Sequence, residues 1–301
     1  MKIASITLYC NEDFRLKQWI SLYNEYKSEI YLHVIVNNGK EEDSVMLKNC
    51  FPDSLILYSS SNNMTHSYNV GVKEIMKDKE VDAIMQITND IRFLSGTITL
   101  LYNRLMSDSA LAVVGPVMLK KDSEEIESFG YIIPKYYADA IPLYRGLQYH
   151  ELKEDFKYVS SVPGGAIMVK RSAYDKFGYQ DEKLHMYCDE RDMYIRFDKL
   201  GYKEGVLCTA KAWHQHEYKP GKSVRTPIAT YLTVRNRVYI TSKYHSSIIT
   251  LFVGLKFFCL AVLRTVFHTF IRRELLEYDI ATLKGVLQGL VLKSKDAPSR
   301  L

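Results

Sequence analysis

Three acids crowd into four residues of "HMYCDERDMYIRF", where Asp189, Glu190 and Asp192 flank a single Arg191. Carboxylates at that density repel one another, which raises a pKa and suits one of them to take a proton as a general base. The alternative is simple capping, since unsatisfied amides at a helix start favour acids, but a cap needs one acid or two. Upstream, "DAIMQITNDIRF" begins as a buried strand over Ala83 to Ile87 and halts on Thr88-Asn89-Asp90. Asn and Asp close turns by bonding their own backbone. They also stand where ligands of open α/β sheets collect, beyond the carboxyl ends of the strands. Downstream, His214 and His216 of "AWHQHEYKPGKS" fall at i, i+2 on one strand face, so a shared metal is geometrically allowed, although such a pair is more often structural or solvated. Arg235 in "TYLTVRNRVYI" sits among aromatic and aliphatic residues of a helix and needs an anionic partner, either a phosphate or one of these acids.

The elements that must position these groups are legible from periodicity. Ile3 to Tyr9 is rich in β-formers, and "DFRLKQWISLYNEYKSE" spaces Leu16, Trp19, Ile20, Leu22 and Tyr23 as a helix does. A strand in "IYLHVIVNNG" follows, then "SLILYSSS", a helix over "SYNVGVKEIMKDK" and the strand at 82 to 87. Strand and helix alternate through the first hundred residues, which predicts a parallel sheet with helices on its faces. Another apolar run, "LAVVGPVML", is expected to end near Pro116. "KYVSSVPGGAIMVKRSAYDKFG" reads as a strand broken by Pro163-Gly164-Gly165 and followed by a helix start. The stretch 134 to 158, rich in Tyr and turn residues, reads as a loop-rich insertion forming a lid or acceptor wall.

At 301 residues with 47% hydrophobic and 25% charged content, the chain belongs with globular proteins. A net charge of +5 is too mild to imply nucleic acid, but it suits an anionic substrate or membrane surface. Five cysteines without a C-x-x-C pair favour a reducing compartment. The first apolar run is too short for a signal-peptide core, so a cytosolic start is expected. Composition shifts after residue 245, which divides the chain into an expected catalytic domain, 1–245, and C-terminal amphipathic helices, 246–301. There Lys256 interrupts the apolar run, leaving each piece short of the ~20 residues of a membrane span. Arg264, His268 and Arg272 recur every four residues as a basic stripe, with Thr265, Thr269 and Arg273 beside it, and "ELLEYDIATLKGVLQGLVLK" is a second amphipathic helix. Membrane-surface docking and packing against another subunit are both open for these helices.

The ordered set resembles the inverting family 2 glycosyltransferases of the GT-A fold, in particular their bacterial rhamnosyltransferase-like branch. The residues that carry the likeness begin with Thr7 to Asn11, Val36-Asn37-Asn38-Gly39-Lys40 and Asn69-Val70-Gly71. Ser61-Asn62-Asn63-Met64 has lost the family's glycine, and the D-x-D metal motif falls at Thr88-Asn89-Asp90, where only the last acid is kept. Val114-Gly115-Pro116, Gly164-Gly165-Ala166 through Met168 to Arg171, and the run Gly178, Asp181, Glu182, Asp189, Glu190, Asp192, Arg196 follow, with the usual Glu-Asp order reversed. His214 or His216 with Gly221 and Ser223, then Tyr231, Arg235 and Asn236, complete a match over residues 1 to about 245.

The resemblance implies an α/β GT-A fold: a Rossmann-like, mostly parallel central sheet flanked by helices, here with a C-terminal amphipathic helical extension. It implies a nucleotide-sugar donor, dTDP-rhamnose or a UDP-hexose, and a glycan acceptor, lipid-linked in bacterial surface polysaccharide synthesis at the inner face of the cell membrane. The base and ribose would meet Thr7, Tyr9, Asn11, Asn37 and Asn38, with Asn69, Asn89, Gly164 and Gly165 also lining the donor site. Asp90 would meet the diphosphate through Mg²⁺ or Mn²⁺, with His214 or His216 completing the metal site. Arg235 and nearby Lys residues could bear the diphosphate charge instead. Glu190 takes the position of the general base, with Asp189 and Asp192 as supporting acids. No nucleic-acid partner is expected; peripheral membrane contact and a homo-oligomer are compatible with the C-terminal helices. The competing readings are a sugar-nucleotide pyrophosphorylase, whose Gly-rich start is missing from "LYCNEDFRL", and a membrane-docked scaffold with a decayed transferase domain, against which the acids at 189, 190 and 192 argue.

Overall fold

The structure, a computed structural model, describes residues 1–134, 140–215 and 226–292. In chain order the elements are β1 (Ile3–Tyr9), α1 (Asp13–Tyr26), β2 (Leu32–Asn37), α2 (Asp43–Cys50), β3 (Leu55–Tyr58), α3 (Met64–Ile75), β4 (Ala83–Ile87), β5 (Ile91–Phe93), α4 (Thr97–Ser107), β6 (Leu111–Lys120) and β7 (Ile126–Ser128). They continue with β8 (Tyr131–Ile132), β9 (Ile141–Pro142), β10 (Phe156–Val159), β11 (Ala166–Lys170), α5 (Arg171–Phe177), α6 (Asp189–Lys199), β12 (Lys203–His214), α7 (Pro227–Tyr244), α8 (Ser247–Phe270) and α9 (Leu276–Val291).

The chain forms two compact units. The first gathers Met1–Ile132, Pro142–Glu182 and the chain from Glu190 through β12 around one sheet, ordered β10-β12-β6-β11-β4-β1-β2-β3. The half from β3 to β4 is parallel, as the strand–helix alternation predicts. β11 enters antiparallel between β4 and β6, so the sheet as a whole is mixed. All seven residues of β1 are buried, as a strand covered on both faces requires. One face carries Val72 and Ile75 of α3, Tyr174 of α5, and Met193 and Phe197 of α6. The other carries Trp19 and Tyr23 of α1 and Ile98 and Leu101 of α4. Each such side chain contributes roughly 1.5–3 kcal/mol over leaving it in water.

Two expectations are corrected in this unit. The strand through "LAVVGPVML" does not end at Pro116; β6 runs on to Lys120. Pro116 lies opposite Leu207, where the register of β12 shifts before Lys211, and a proline is tolerated at such an irregularity because no ladder N–H is needed there. The insertion at 134 to 158, of which 135–139 lie outside the described residues, is partly ordered into the sheet. Phe156–Val159 forms β10, antiparallel to β12, and the Phe156 ring lies over Gly205, where a Cβ would come within 2.1 Å of it.

The second unit comprises Ile133–Ile141, Lys183–Asp189 and the helices α7, α8 and α9. It divides the chain earlier than a boundary at 245, because α7 packs with the helices that follow it. Gly285 and Gly289 of α9 lie on the α7 backbone: a Cβ at Gly289 would stand 2.6 Å from the Arg235 carbonyl, and one at Gly285 2.7 Å from the Tyr231 carbonyl. The polar stripe read on α8 does not face outward as a whole, since His268 is turned onto Asp279 of α9 at 2.6 Å. By length and composition Ser247–Phe270 is one continuous helix long and apolar enough to cross a membrane, despite Lys256.

Candidate active site

The site is built where β4 ends. Ile87 pairs with Ala166 across the β4–β11 ladder, and the Thr88 N–H donates to the Gly165 carbonyl at 2.8 Å. The glycine loop is thus tied to the strand end. Asp90 is 6% exposed. Its Oδ1 accepts from the Thr88 hydroxyl at 2.9 Å, and its Oδ2 accepts from Arg15 Nη1 at 2.8 Å. The antiparallel register of β5 with β12 sets His214 opposite Ile91, which brings His214 Nε2 to 3.4 Å from the same Asp90 Oδ2. On the other side of the ring, Nδ1 lies 3.2 Å from Glu127 Oε1. Burial alone would lower the His214 pKa, but hydrogen bonding to Asp90 and Glu127 outweighs it and the ring is pushed up to about 9.

Glu190 reaches the other side of the glycine loop. A Cβ on Gly164 would lie 2.2 Å from Glu190 Oε1, so this carboxylate rests on bare backbone. Gly165 holds φ at +104°, a conformation that glycine alone adopts readily. Gly164-Gly165 therefore joins the Asp90 turn to the Glu190 carboxylate. The three acids of α6 take separate roles. Glu190 and Asp192 leave the helix about 200° apart at 100° per residue. Asp192 is fully buried and pairs with Arg196 at 3.4 Å, whose guanidinium donates to the Phe177 and Tyr179 carbonyls at 2.6 and 2.8 Å. Asp189, 7% exposed, is the first residue of the helix.

The residues expected to line the donor site divide by exposure. Thr7, Tyr9, Asn37 and Asn69 are buried, and their side chains are engaged inside the fold. Thr7 Oγ1 meets His33 Nε2 at 3.3 Å, and the Tyr9 hydroxyl donates to Asp13. Asn37 donates to the Lys40 carbonyl and to Ser44 while accepting from the Gly39 N–H, which shapes the turn after β2. Asn69 holds Gln180 and Glu182. Asn89 is also buried and donates to Glu12. Asn11 is exposed with φ at +52°, and Asn38 is half-buried, accepting from the Ser67 hydroxyl at 2.6 Å.

Arg235 belongs to the second unit. There its Nη2 donates to the Lys183 and Leu184 carbonyls at 3.1 and 2.8 Å, and its Nε donates to Asn236 Oδ1 at 2.9 Å. Fully buried Asn236 in turn donates to the carbonyls of Leu184, Met186 and Tyr187. All of these partners are carbonyl oxygens. The pair clamps a segment in which His185, Tyr187 and Cys188 all have φ above +60°, each a strain of order 1–3 kcal/mol for a residue with a side chain.

His216, Gly221 and Ser223 lie outside the described residues. Among the described residues no group of three or more His, Cys, Asp or Glu side chains is arranged to hold a metal ion. Two donors are nevertheless adjacent. Neighbouring ligands of an octahedral ion stand about 3 Å apart when each is 2.0–2.1 Å from it, close to the 3.4 Å between Asp90 Oδ2 and His214 Nε2. Waters and phosphate oxygens commonly supply the remaining positions, so the pair fits one side of a divalent-cation site once the entering ion displaces the Nε2 proton that His214 holds against Asp90.

Arg15 and Glu127 went unmarked in the sequence. Arg15 had one signal, its place in the first turn after β1, at the carboxyl edge of the sheet. Glu127 had none, because only the pairing of β6 with both β7 and β12 brings its short strand within reach of His214.

Neither a protein-family model nor a curated protein matches the sequence. Among solved structures the chain is similar to GalNAc-T7 with UDP, GalNAc and Mn²⁺, at a TM-score of 0.62 and 12% identity over 98% of this chain and 55% of that one. The chain thus spans about half the length of that protein. It is also similar to the mannosyltransferase PcManGT from Pyrobaculum calidifontis in complex with GDP-Man and Mn²⁺, at a TM-score of 0.58 and 10% identity over 96% of this chain and 87% of that one. The fold is the GT-A fold of glycosyltransferases.

Proposed function

We propose that this protein is a glycosyltransferase that moves a sugar from a nucleotide-sugar donor to a glycan hydroxyl with inversion at the anomeric carbon. The observation that carries the reading is the placing of the Glu190 carboxylate on Gly164, beside the loop that is bonded to the Asp90 turn. A sugar hydroxyl is not acidic at neutral pH, so its proton must leave as the new bond forms. The acceptor oxygen attacks the anomeric carbon, the bond from that carbon to the diphosphate oxygen breaks, and Glu190 takes the hydroxyl proton. The nucleoside diphosphate departs with the bonding electrons.

Asp90 and His214 are the residues that would hold a divalent cation, in keeping with the Mn²⁺ present in both similar structures. Such an ion, Mg²⁺ or Mn²⁺, supplies positive charge where the departing diphosphate gathers negative charge. Arg15 adds a fixed cation at the same carboxylate. Asn11 and Asn38 are the exposed or half-buried candidates for contact with the nucleoside, while Thr7, Tyr9, Asn37 and Asn69 shape the wall behind them. dTDP-rhamnose and UDP-hexoses head the candidate donors, with a lipid-linked bacterial surface glycan as acceptor. The five free cysteines support a reducing, cytosolic location.

The test is Glu190→Gln, which keeps the shape against Gly164 and removes the base. Sugar transfer from a donor found by screening nucleotide sugars should fall about 10²–10⁴-fold, with donor affinity by calorimetry unchanged. Full turnover in that variant would reject Glu190 as the base.

A further inference from the structure

α8 turns apolar side chains outward in a way that ordinary packing does not require. Only Thr250, Val253, Gly254 and Ala261 are buried along its 24 residues. On the opposite side Ile248, Phe252, Leu255, Leu263, Val266 and Phe270 are exposed, Phe252 by 68%, Leu263 by 67% and Phe270 by 81%. At 100° per residue, exposed apolar side chains from Phe258 round to Leu260 cover roughly 200° of the helix. A seam made for one partner helix is much narrower, two positions in every seven. We infer that this face is a docking surface for a lipid bilayer with anionic headgroups, on which α8 lies flat.

Charge decides between a bilayer and a second copy of the chain. α8 holds no Asp or Glu, so a second α8 laid against it offers Arg264 no carboxylate. Anionic headgroups do, and the exposed Arg264 side chain, about 40° beyond the edge of the apolar arc, is long enough to reach them from beside buried apolar surface. Arg272 and Arg273 add charge just past the helix end. The other side of α8 decides between lying flat and spanning. It is covered by α9, with Leu290 against Gly254 and Asp279 bonded to His268. A spanning α8 would carry Asp279, and with it Glu277 and Lys284 of α9, into hydrocarbon, where ionised groups are costly. A helix lying in the interface keeps that polar side in water.

The inference stands apart from the donor chemistry, and its test needs no substrate. The full chain is sedimented with vesicles of phosphatidylcholine containing phosphatidylglycerol, and with phosphatidylcholine alone. Binding to the anionic vesicles is expected, and Phe252→Ser combined with Leu263→Ser should weaken it about tenfold or more while leaving the thermal unfolding midpoint in place, since both side chains are exposed. Arg264→Glu should erode the preference for anionic vesicles. Equal partitioning of the parent and the double variant overturns the docking face, and equal binding to both vesicle types overturns the headgroup assignment. A parent that ignores vesicles but sediments as a dimer, which the double variant converts to a monomer, assigns the face to a second copy instead.

Discussion

Glu190 Oε1 lies only 2.2 Å from where the first side-chain atom of any residue but glycine would stand at position 164. The carboxylate and the loop are fitted to each other, and Gly164→Ala must push one of them away. Transfer should fall at least as far as in Glu190→Gln, about 10²-fold or more, while nucleotide affinity by calorimetry holds. Unchanged turnover would show that Glu190 works from another position.

The Asp90–His214 pair predicts how cation binding responds to substitution. Asp90→Ala should weaken binding of a nucleoside diphosphate in the presence of Mn²⁺, read by calorimetry. Glu127→Gln touches neither the ion nor the nucleotide, but it removes the carboxylate that orients His214. Loss of such a partner typically costs 10–100-fold in metal affinity, so Mn²⁺ titration followed by electron paramagnetic resonance should show a shift of about that size. Unchanged Mn²⁺ affinity in both variants would remove the cation from this site and leave Arg15 as the charge at Asp90.

Asn236 donates one amide group to three carbonyls of the segment that leads into α6. Asn236→Ala leaves buried carbonyls without this donor, at a cost of about 1–3 kcal/mol, and frees a strained stretch of backbone. Hydrogen exchange should quicken over residues 184–188 more than in α7 itself. Uniform exchange across the second unit would mean that the clamp is not local.

Glu204 gives the pH prediction. It is 2% exposed on β12, and its Oε1 has no hydrogen-bond partner among the described residues. Desolvation, aided by the Asp198 charge, pushes its pKa up from 4.5 to about 9. The folded state therefore holds a proton that the unfolded chain releases. The resulting stability is full below about pH 4.5 and is lost as pH rises towards 9. Glu204→Gln should flatten that part of the stability curve, with the gain at pH 8 seen as a higher midpoint in urea. A variant as sensitive to pH as the parent across this window would place the linkage elsewhere.

The periodicities were local, and local physics made them readable. Alternation of strand and helix through Ile87, the halt at Thr88-Asn89-Asp90 and the helix around Asp189 each depend on residues a few positions apart. The break at Pro163-Gly164-Gly165 was visible for the same reason. That β11 runs antiparallel was not visible, because Ala166–Lys170 reads the same in either direction and only its neighbours β4 and β6 fix it. Arg235 stood out because an arginine in an apolar helix needs a partner, and a helix cannot announce the Lys183 and Leu184 carbonyls to which this one donates.

By itself, then, the sequence determined the elements, the acids and the strand end where a ligand would be met. Tertiary structure alone decided that Glu190 and not Asp192 meets the glycine loop, that Glu127 stands behind His214, and that α8 turns His268 inward and Phe252 outward. Hydrophobic period and turn chemistry act over a few residues, whereas the partner of a carboxylate or an imidazole is set by strand register and helix rotation that bring distant segments together.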